Sequence, residues 1–343
     1  MEALDILRFL QYHPLSSRKN IAEGIGFAGS DATLKRLLSA QVSAGKIMVS
    51  GQGKATRYSL TSSCRIALPI DIDAYFQQDQ DKRQIQTGYN FELIPEILPS
   101  VPLFSVEEMQ MLESLHEKFQ KNMEELSPTA YRKEMERLGV DLSWKSSQIE
   151  GNTYSLLETE RLLRESKTAS GKTQAEAVML LNHKYTLRFL LDNKDYLQEL
   201  SALKIEDIQS MLVKGLETEK GLRSRRMGIT GTNYRPLDNA FQIREEIEET
   251  CNLINGRQNV FEKALLALLL ISYIQPFTDG NKRTSRLVSN GILLAHGYCP
   301  LSFRTVDSMD YKKAMLVFYE QNNIVPFKEI FVSQYQFAVG EYF

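Results

Sequence analysis

QPFTDGNKRTSR, residues Gln275–Arg286, is a polar loop set between two apolar stretches. Ahead of it runs ALLALLLISYI, Ala264–Ile274, the longest apolar run in the chain and apolar on nearly every side, which predicts a helix buried in the middle of a bundle. Beyond it the chain turns apolar again, so two core helices meet at the loop. Placing Asp279, Gly280, Asn281, Lys282, Arg283 and Arg286 there is costly unless partners satisfy them, and a bound ligand is one such partner. Gly280 permits close backbone approach, and the amides of residues 280–283 at a helix start form an anion-binding nest. Arg283 and Arg286 lie one turn apart and converge on phosphate oxygens, while Asp279 is placed to hold a divalent cation such as Mg²⁺. On these residues alone a plain helix start with surface ion pairs stays open.

Working outward, the pattern is helical almost throughout from Phe104 to the C-terminus. Helices are predicted at about 106–138, 155–167, 173–193, 204–216, 239–255, 259–273, 282–296, 307–321 and 326–340. Ser155 followed by Glu158 reads as a capping box. MGITGTNYRPL, Met227–Leu237, with its glycines and β-branched residues, predicts a small hairpin. Upstream, residues 65–104 carry polar runs and prolines and read as an extended connector with short strands packed on the body.

Residues 1–64 predict helices at about 2–12, 16–25 and 30–44, with Ser16 and Ser30 as N-caps, then a hairpin built from KIMVS and ATRYSLT. Three helices and a hairpin resemble a winged helix-turn-helix. That resemblance implies Lys35 and Arg36 near DNA bases or phosphates and Lys54 and Arg57 on the wing; a protein-interaction module is the alternative. Residues 1–65 hold nine Lys and Arg against four Asp and Glu, a local +5 on a chain of net −2. Cys64, Cys251 and Cys299 lie far apart without metal-ligand spacing, and no apolar run approaches the length of a bilayer span. The N-terminus MEALDILRFL carries acidic residues where a signal segment is basic, so a cytoplasmic protein without a membrane partner is expected.

The full string around Gly280 is more specific than its parts. It resembles the Fic family signature HPFxDGNxRxxR at every defined position except the first, and the likeness extends over roughly residues 105–340. Three units follow: the winged-helix module at 1–64, the connector at 65–104, and a mainly α Fic-type helical domain at 105–343. SSQIEG, Ser146–Gly151, resembles the family's inhibitory motif, carried on a helix near 141–151. The resemblance implies that Ser146, Glu150 and Gly151 form that motif, with Glu150 pairing Arg286 and keeping the γ-phosphate of ATP out of its productive position; a helix end closed by Gly151 fits the same residues. It also implies that Ile229, Thr230, Gly231, Thr232, Asn233 and Tyr234 belong to a flap that binds a target segment by strand addition. GLRSRR, Gly221–Arg226, resembles the family's basic approach to the flap, with a solvated face as the alternative.

The implied activity is transfer of AMP from ATP to a protein hydroxyl, with Asp279, Arg283 and the residue at position 275 in catalytic roles. The departure is Gln275, where the family has the histidine that takes the hydroxyl proton. An amide cannot act as that base, and general-base catalysis is worth about a hundredfold to ten-thousandfold. Lys282 is similar to the Doc branch, whose site transfers phosphate instead. Three functions remain: a slowed AMP or phosphate transferase acting on an unidentified protein target, a DNA-binding regulator that senses nucleotide without turnover, and a protein-contact scaffold. A homodimer is compatible with each.

Overall fold

The computed structural model describes residues 2–83 and 85–343. Its first part contains α1 (Glu2–Tyr12), α2 (Arg18–Gly24), α3 (Asp31–Ser43) and the antiparallel strands β1 (Ile47–Ser50) and β2 (Arg57–Leu60), with Ile47 opposite Leu60 and Ser50 opposite Arg57. Ser30 caps α3 as predicted, but α2 is capped by Ser17, whose hydroxyl accepts from the Asn20 amide. Ser16 instead bridges to Tyr58 and is buried, so it extends the two-stranded sheet on the side away from β1. Ile6, Leu10, Ile21, Leu34, Leu38, Ile47 and Leu60 make a small core of their own.

The connector differs from expectation. Its described residues form no strand; the chain makes α4 (Ser62–Ala67), α5 (Ile72–Phe76) and short helical turns at Gln80–Lys82, Leu93–Ile97 and Leu98–Ser100. Nor is it a loose linker. Leu93, Ile94, Leu98, Val101, Leu103 and Phe104 are buried in the large core. Their apolar spacing is too irregular to announce either a helical or a strand period.

The rest is helical: α6 (Val106–Glu125), α7 (Pro128–Ile149), α8 (Leu156–Glu165), α9 (Gln174–Asp192), α10 (Ala202–Leu212), α11 (Ala240–Gly256), α12 (Val260–Ile274), α13 (Asn281–Ala295), α14 (Ser308–Gln321) and α15 (Val325–Glu341). The single helix expected over 106–138 is two, because Ser127 caps α7 and Pro128 occupies its first turn, where a missing N–H costs nothing. The Ser155–Glu158 capping box is present. No described helix is long and apolar enough to cross a membrane.

α12 is the axis of this bundle. Every residue from Ala264 to Ile274 is buried, and α12 packs along α13 and against α11 and α14. Such burial ties the polar loop at its end to the packed core. Leu269 is fully buried, so Leu269→Ala is expected to lower unfolding free energy by about 2–5 kcal/mol, read from denaturant midpoints.

Candidate functional site

The loop is shaped by two left-handed residues. Gln275 ends α12 at φ +52° and Gly280 starts α13 at φ +84°, so the chain reverses tightly between two buried helices. For Gly280 that conformation is free of strain, whereas a side chain there would be strained. A Cβ at Gly280 would also come within 3.4 Å of Val213.

Gln275 is buried, and its side chain is turned inward. Nε2 donates to the Ser272 carbonyl at 2.6 Å and the Tyr319 hydroxyl at 3.2 Å, while Oε1 accepts from Asn281 Nδ2 at 3.1 Å. Asn281 closes the loop by donating to the Phe277 carbonyl and accepting from the Phe277 amide, both at 2.8 Å. A second strut is Arg223, which sequence reasoning assigned to a basic stretch with a solvated face as the alternative. It is buried: its Nε donates to the Gln275 carbonyl at 2.6 Å, and its other nitrogens reach the carbonyls of Arg225 and Leu237. Of the three arginines in that stretch, Arg225 and Arg226 are exposed. A run of three arginines gives no sign of which one turns inward.

On the outer side of the turn lie the charges. Asp279 accepts from Arg283 Nη2 at 2.7 Å and from the Gly280 amide at 2.6 Å, so that amide is not free for an anion. The following amides in the first turn of α13 have no acceptor within the helix. α13 has no side-chain cap at Gly280 to take their place. Asp279 stays half exposed and has lone pairs to spare, which fits a Mg²⁺ ion held by one carboxylate together with phosphate oxygens. No cluster of three or more metal-ligating side chains occurs among the described residues.

Arg286 is fully buried. Nε donates to the Ser146 hydroxyl and Nη2 to the Ser146 carbonyl, each at 2.9 Å; Nη2 also meets Glu150 Oε1 at 2.8 Å, and the guanidinium lies over the Tyr311 ring. Lys282 Nζ stands 3.5 Å from Glu150 Oε2. The pair expected between Glu150 and Arg286 is therefore made, with Lys282 beside it, and Gly151 follows at φ +97° just past the end of α7. Burial raises the Glu150 pKa, but the charges of Arg286, Lys282 and Arg283 outweigh it and hold the carboxyl below its usual range. Among the described residues, Arg283 Nε and Nη1 and Arg286 Nη1 are buried donors without a hydrogen-bond partner. Orphaned guanidinium donors beside a helix start are what an anionic ligand would satisfy.

His183, on α9, is buried beside this cluster, its Nδ1 3.3 Å from the Ser143 hydroxyl. Burial first, then the charges of Arg286 and Arg283, push its pKa down to about 3, so it is neutral near pH 7. Ser272, Tyr311 and Tyr319 complete the site with Arg223; the first three were not singled out from sequence, since each lies among ordinary helix residues.

The expected flap forms no strand of its own. Residues 226–239 are irregular, with a turn at Thr230–Gly231 and Gly231 at φ +88°. Thr232 and Tyr234 are buried, and Tyr234 donates to the Tyr273 carbonyl. Asn233, Gly231 and Arg235 instead bond to residues of the connector. In the N-terminal part, Lys35, Arg36 and Lys54 are exposed, but Arg57 is half buried and folds onto the carbonyls of Lys54 and Thr56.

Residues 199–293 match the sequence model described as the Fic/DOC family. The chain is 26% identical over 226 residues to protein adenylyltransferase fic-1 of Caenorhabditis elegans, covering 64% of this chain and 44% of that protein. It is 29% identical over 176 residues to protein adenylyltransferase Fic of Nematostella vectensis, covering 49% and 40%. The chain thus spans less than half the length of these curated relatives. A solved Fic-1 structure from C. elegans shares its fold with TM-score 0.62 at 19% identity, over 99% of this chain and 96% of that one. A Fic domain containing signaling protein from Bacteroides thetaiotaomicron gives 0.56 at 19% identity, over 67% and 95%.

Two outcomes follow. Gln275→Ala removes three buried hydrogen bonds and is expected to cost about 1–3 kcal/mol in urea unfolding. For Glu150, a carboxyl whose folded pKa is depressed stabilises fully above its unfolded value and loses that contribution as pH falls through the folded one. Unfolding free energies of the wild type should therefore exceed those of Glu150→Gln by a constant margin at neutral pH. The margin should shrink on acidification below about pH 4, near the unfolded pKa of glutamate.

Proposed function

We propose that this chain binds ATP at the Gly280 loop and transfers AMP to a hydroxyl of a protein target, with Glu150 restraining it at rest. The observation that carries the reading is the Glu150–Arg286 pair at 2.8 Å beside guanidinium nitrogens of Arg283 and Arg286 that lack hydrogen-bond partners among the described residues. The names of the curated relatives support the reaction class. A terminal phosphate and the Glu150 carboxylate would compete for one guanidinium, so binding of the first in a productive pose requires release of the second.

In this reading the amides of Asn281, Lys282 and Arg283 and the Arg283 guanidinium receive the phosphates, and Arg286 takes the terminal one. Asp279 would hold Mg²⁺, which neutralises phosphate charge when bound. The target oxygen bonds to the α-phosphorus, the bond to the bridging oxygen breaks, and pyrophosphate leaves. Gln275 cannot take the hydroxyl proton, which passes to water, so the reaction is slow and favours an acidic hydroxyl such as that of tyrosine. Positioning and charge neutralisation carry most of phosphoryl-type transfer, so activity survives without a base.

A second reading is favoured by a specific observation: the Gln275 amide is saturated by Ser272, Tyr319 and Asn281, as a structural member would be. The chain then senses nucleotide without turnover, and residues 1–64 act as a winged-helix module on DNA in a cytoplasmic protein. Lys282 leaves a third outcome, phosphate transfer from ATP.

Label from α-labelled and γ-labelled ATP with Mg²⁺ and cell lysate separates these. In Glu150→Gly, α-label on protein supports AMP transfer without a histidine and γ-label a kinase. Label that appears only when Gln275→His is added makes the natural chain a nucleotide-binding regulator. For the N-terminal module, binding to duplex DNA by anisotropy should weaken with salt, and Lys35→Ala with Arg36→Ala should reduce the log–log slope by about 2. No binding at low salt rejects the DNA role.

A further inference from the structure

Three alternate residues along the flap meet the chain's own connector. The Gly231 carbonyl accepts from Arg83 Nη2 at 2.6 Å. Asn233 accepts from Gln80 Nε2 at 2.7 Å and donates to Asp81 Oδ1 at 2.8 Å. The Arg235 amide donates to the Thr87 carbonyl at 2.9 Å, a main-chain bond of the kind that joins strands. Contacts at Gly231 and Arg235 through the main chain and at Asn233 through its side chain leave the connector lying along one edge of this irregular segment. That edge, which lacks a strand partner from its own neighbourhood, is covered from about 150 residues upstream in the chain.

The connector residues are themselves anchored behind the flap. Glu320, buried at the end of α14, accepts from Tyr75 of α5, pairs with Arg83 at 3.3 Å, and offers its carbonyl to the Gln86 amide. The Arg83 guanidinium lies 4.9 Å from the centre of the Phe76 ring. Ahead of these residues lies a cleft of about 1020 Å³, lined by His13, Met48 and Ser59 of the first module, by Arg65 and Arg83 of the connector and by Asn233 of the flap.

From this arrangement we infer that Gln80, Asp81, Arg83 and Thr87 form a tethered strap that fills the flap edge, and that an extended target segment docks only by displacing it. The inference rests on the flap as the target-binding element of the proposed reaction. The ties to Asn233 are single hydrogen bonds from partly exposed side chains, which sets them apart from the buried Arg83–Glu320 anchor. The strap therefore opens at Asn233 and Arg235 while Arg83 keeps it attached.

The test uses the full chain, Gln80→Ala combined with Asp81→Ala, and a synthetic peptide with the sequence of residues 78–90. Removing two hydrogen bonds is expected to speed amide exchange at Arg235 about tenfold, with α12 and α13 amides unchanged. Labelled peptide should then bind the double variant about tenfold tighter than the wild type. Arg83→Gln, which also cuts the anchor, should open the edge further. Unchanged exchange at Arg235, a loss of protection spread equally over α12 and α13, or equal peptide binding by wild type and variant would each overturn the strap. None of these readouts needs nucleotide transfer, so a chain that transfers no label still answers the question.

Discussion

The guanidinium of Arg286 is buried in the centre of a helical bundle, and a buried cation must be given an anion or fully hydrogen-bonded. The end of α7 supplies the anion, the carboxylate of its C-cap Glu150, and acceptors for Nε and Nη2 in the Ser146 hydroxyl and carbonyl, leaving Nη1 open. This constraint orders much of the site: α7 has to end where Glu150 reaches α13, and Gly151 turns the chain away there. On the proposed reading, a ligand phosphate at that position would take the place of the Glu150 carboxylate on Arg286.

The second constraint is that the loop must keep its shape while charges exchange on its outer face. α12 is buried along its length, and the loop that follows is pinned from inside by Gln275, Asn281 and Arg223. The inner amide cluster and the outer ionic cluster share little beyond the backbone. This separation gives Gln275 a physical role that does not depend on catalysis: its amide supplies two donors and an acceptor, where a neutral imidazole offers one of each.

Much of this was legible in the sequence, for identifiable reasons. Long helices with regular apolar spacing, the buried run before the loop, and the match around Gly280 all depend on local signals. Ser30 and the Ser155–Glu158 box were readable because caps act within a single turn. The failures are of two kinds. Some were adjacent choices, such as Ser16 for Ser17, or the break at Ser127–Pro128, where apolar periodicity on both sides hid a signal that was present. Others were long-range: the flap was expected to pair with itself, yet its partners are Gln80, Asp81, Arg83 and Thr87. Arg223 belongs here too, since only the packed structure distinguishes it from Arg225 and Arg226.

The central claim is that Glu150 and a nucleotide phosphate compete for Arg286. The most direct measurement is a crystal structure of Glu150→Gly with ATP and Mg²⁺. The account predicts a terminal phosphate oxygen within hydrogen-bonding distance of Arg286, about 2.7–2.9 Å, with the α-phosphate near the amides that begin α13. A nucleotide bound in that variant with Arg286 still held only by Ser146 and Tyr311, and no phosphate beside it, would contradict it.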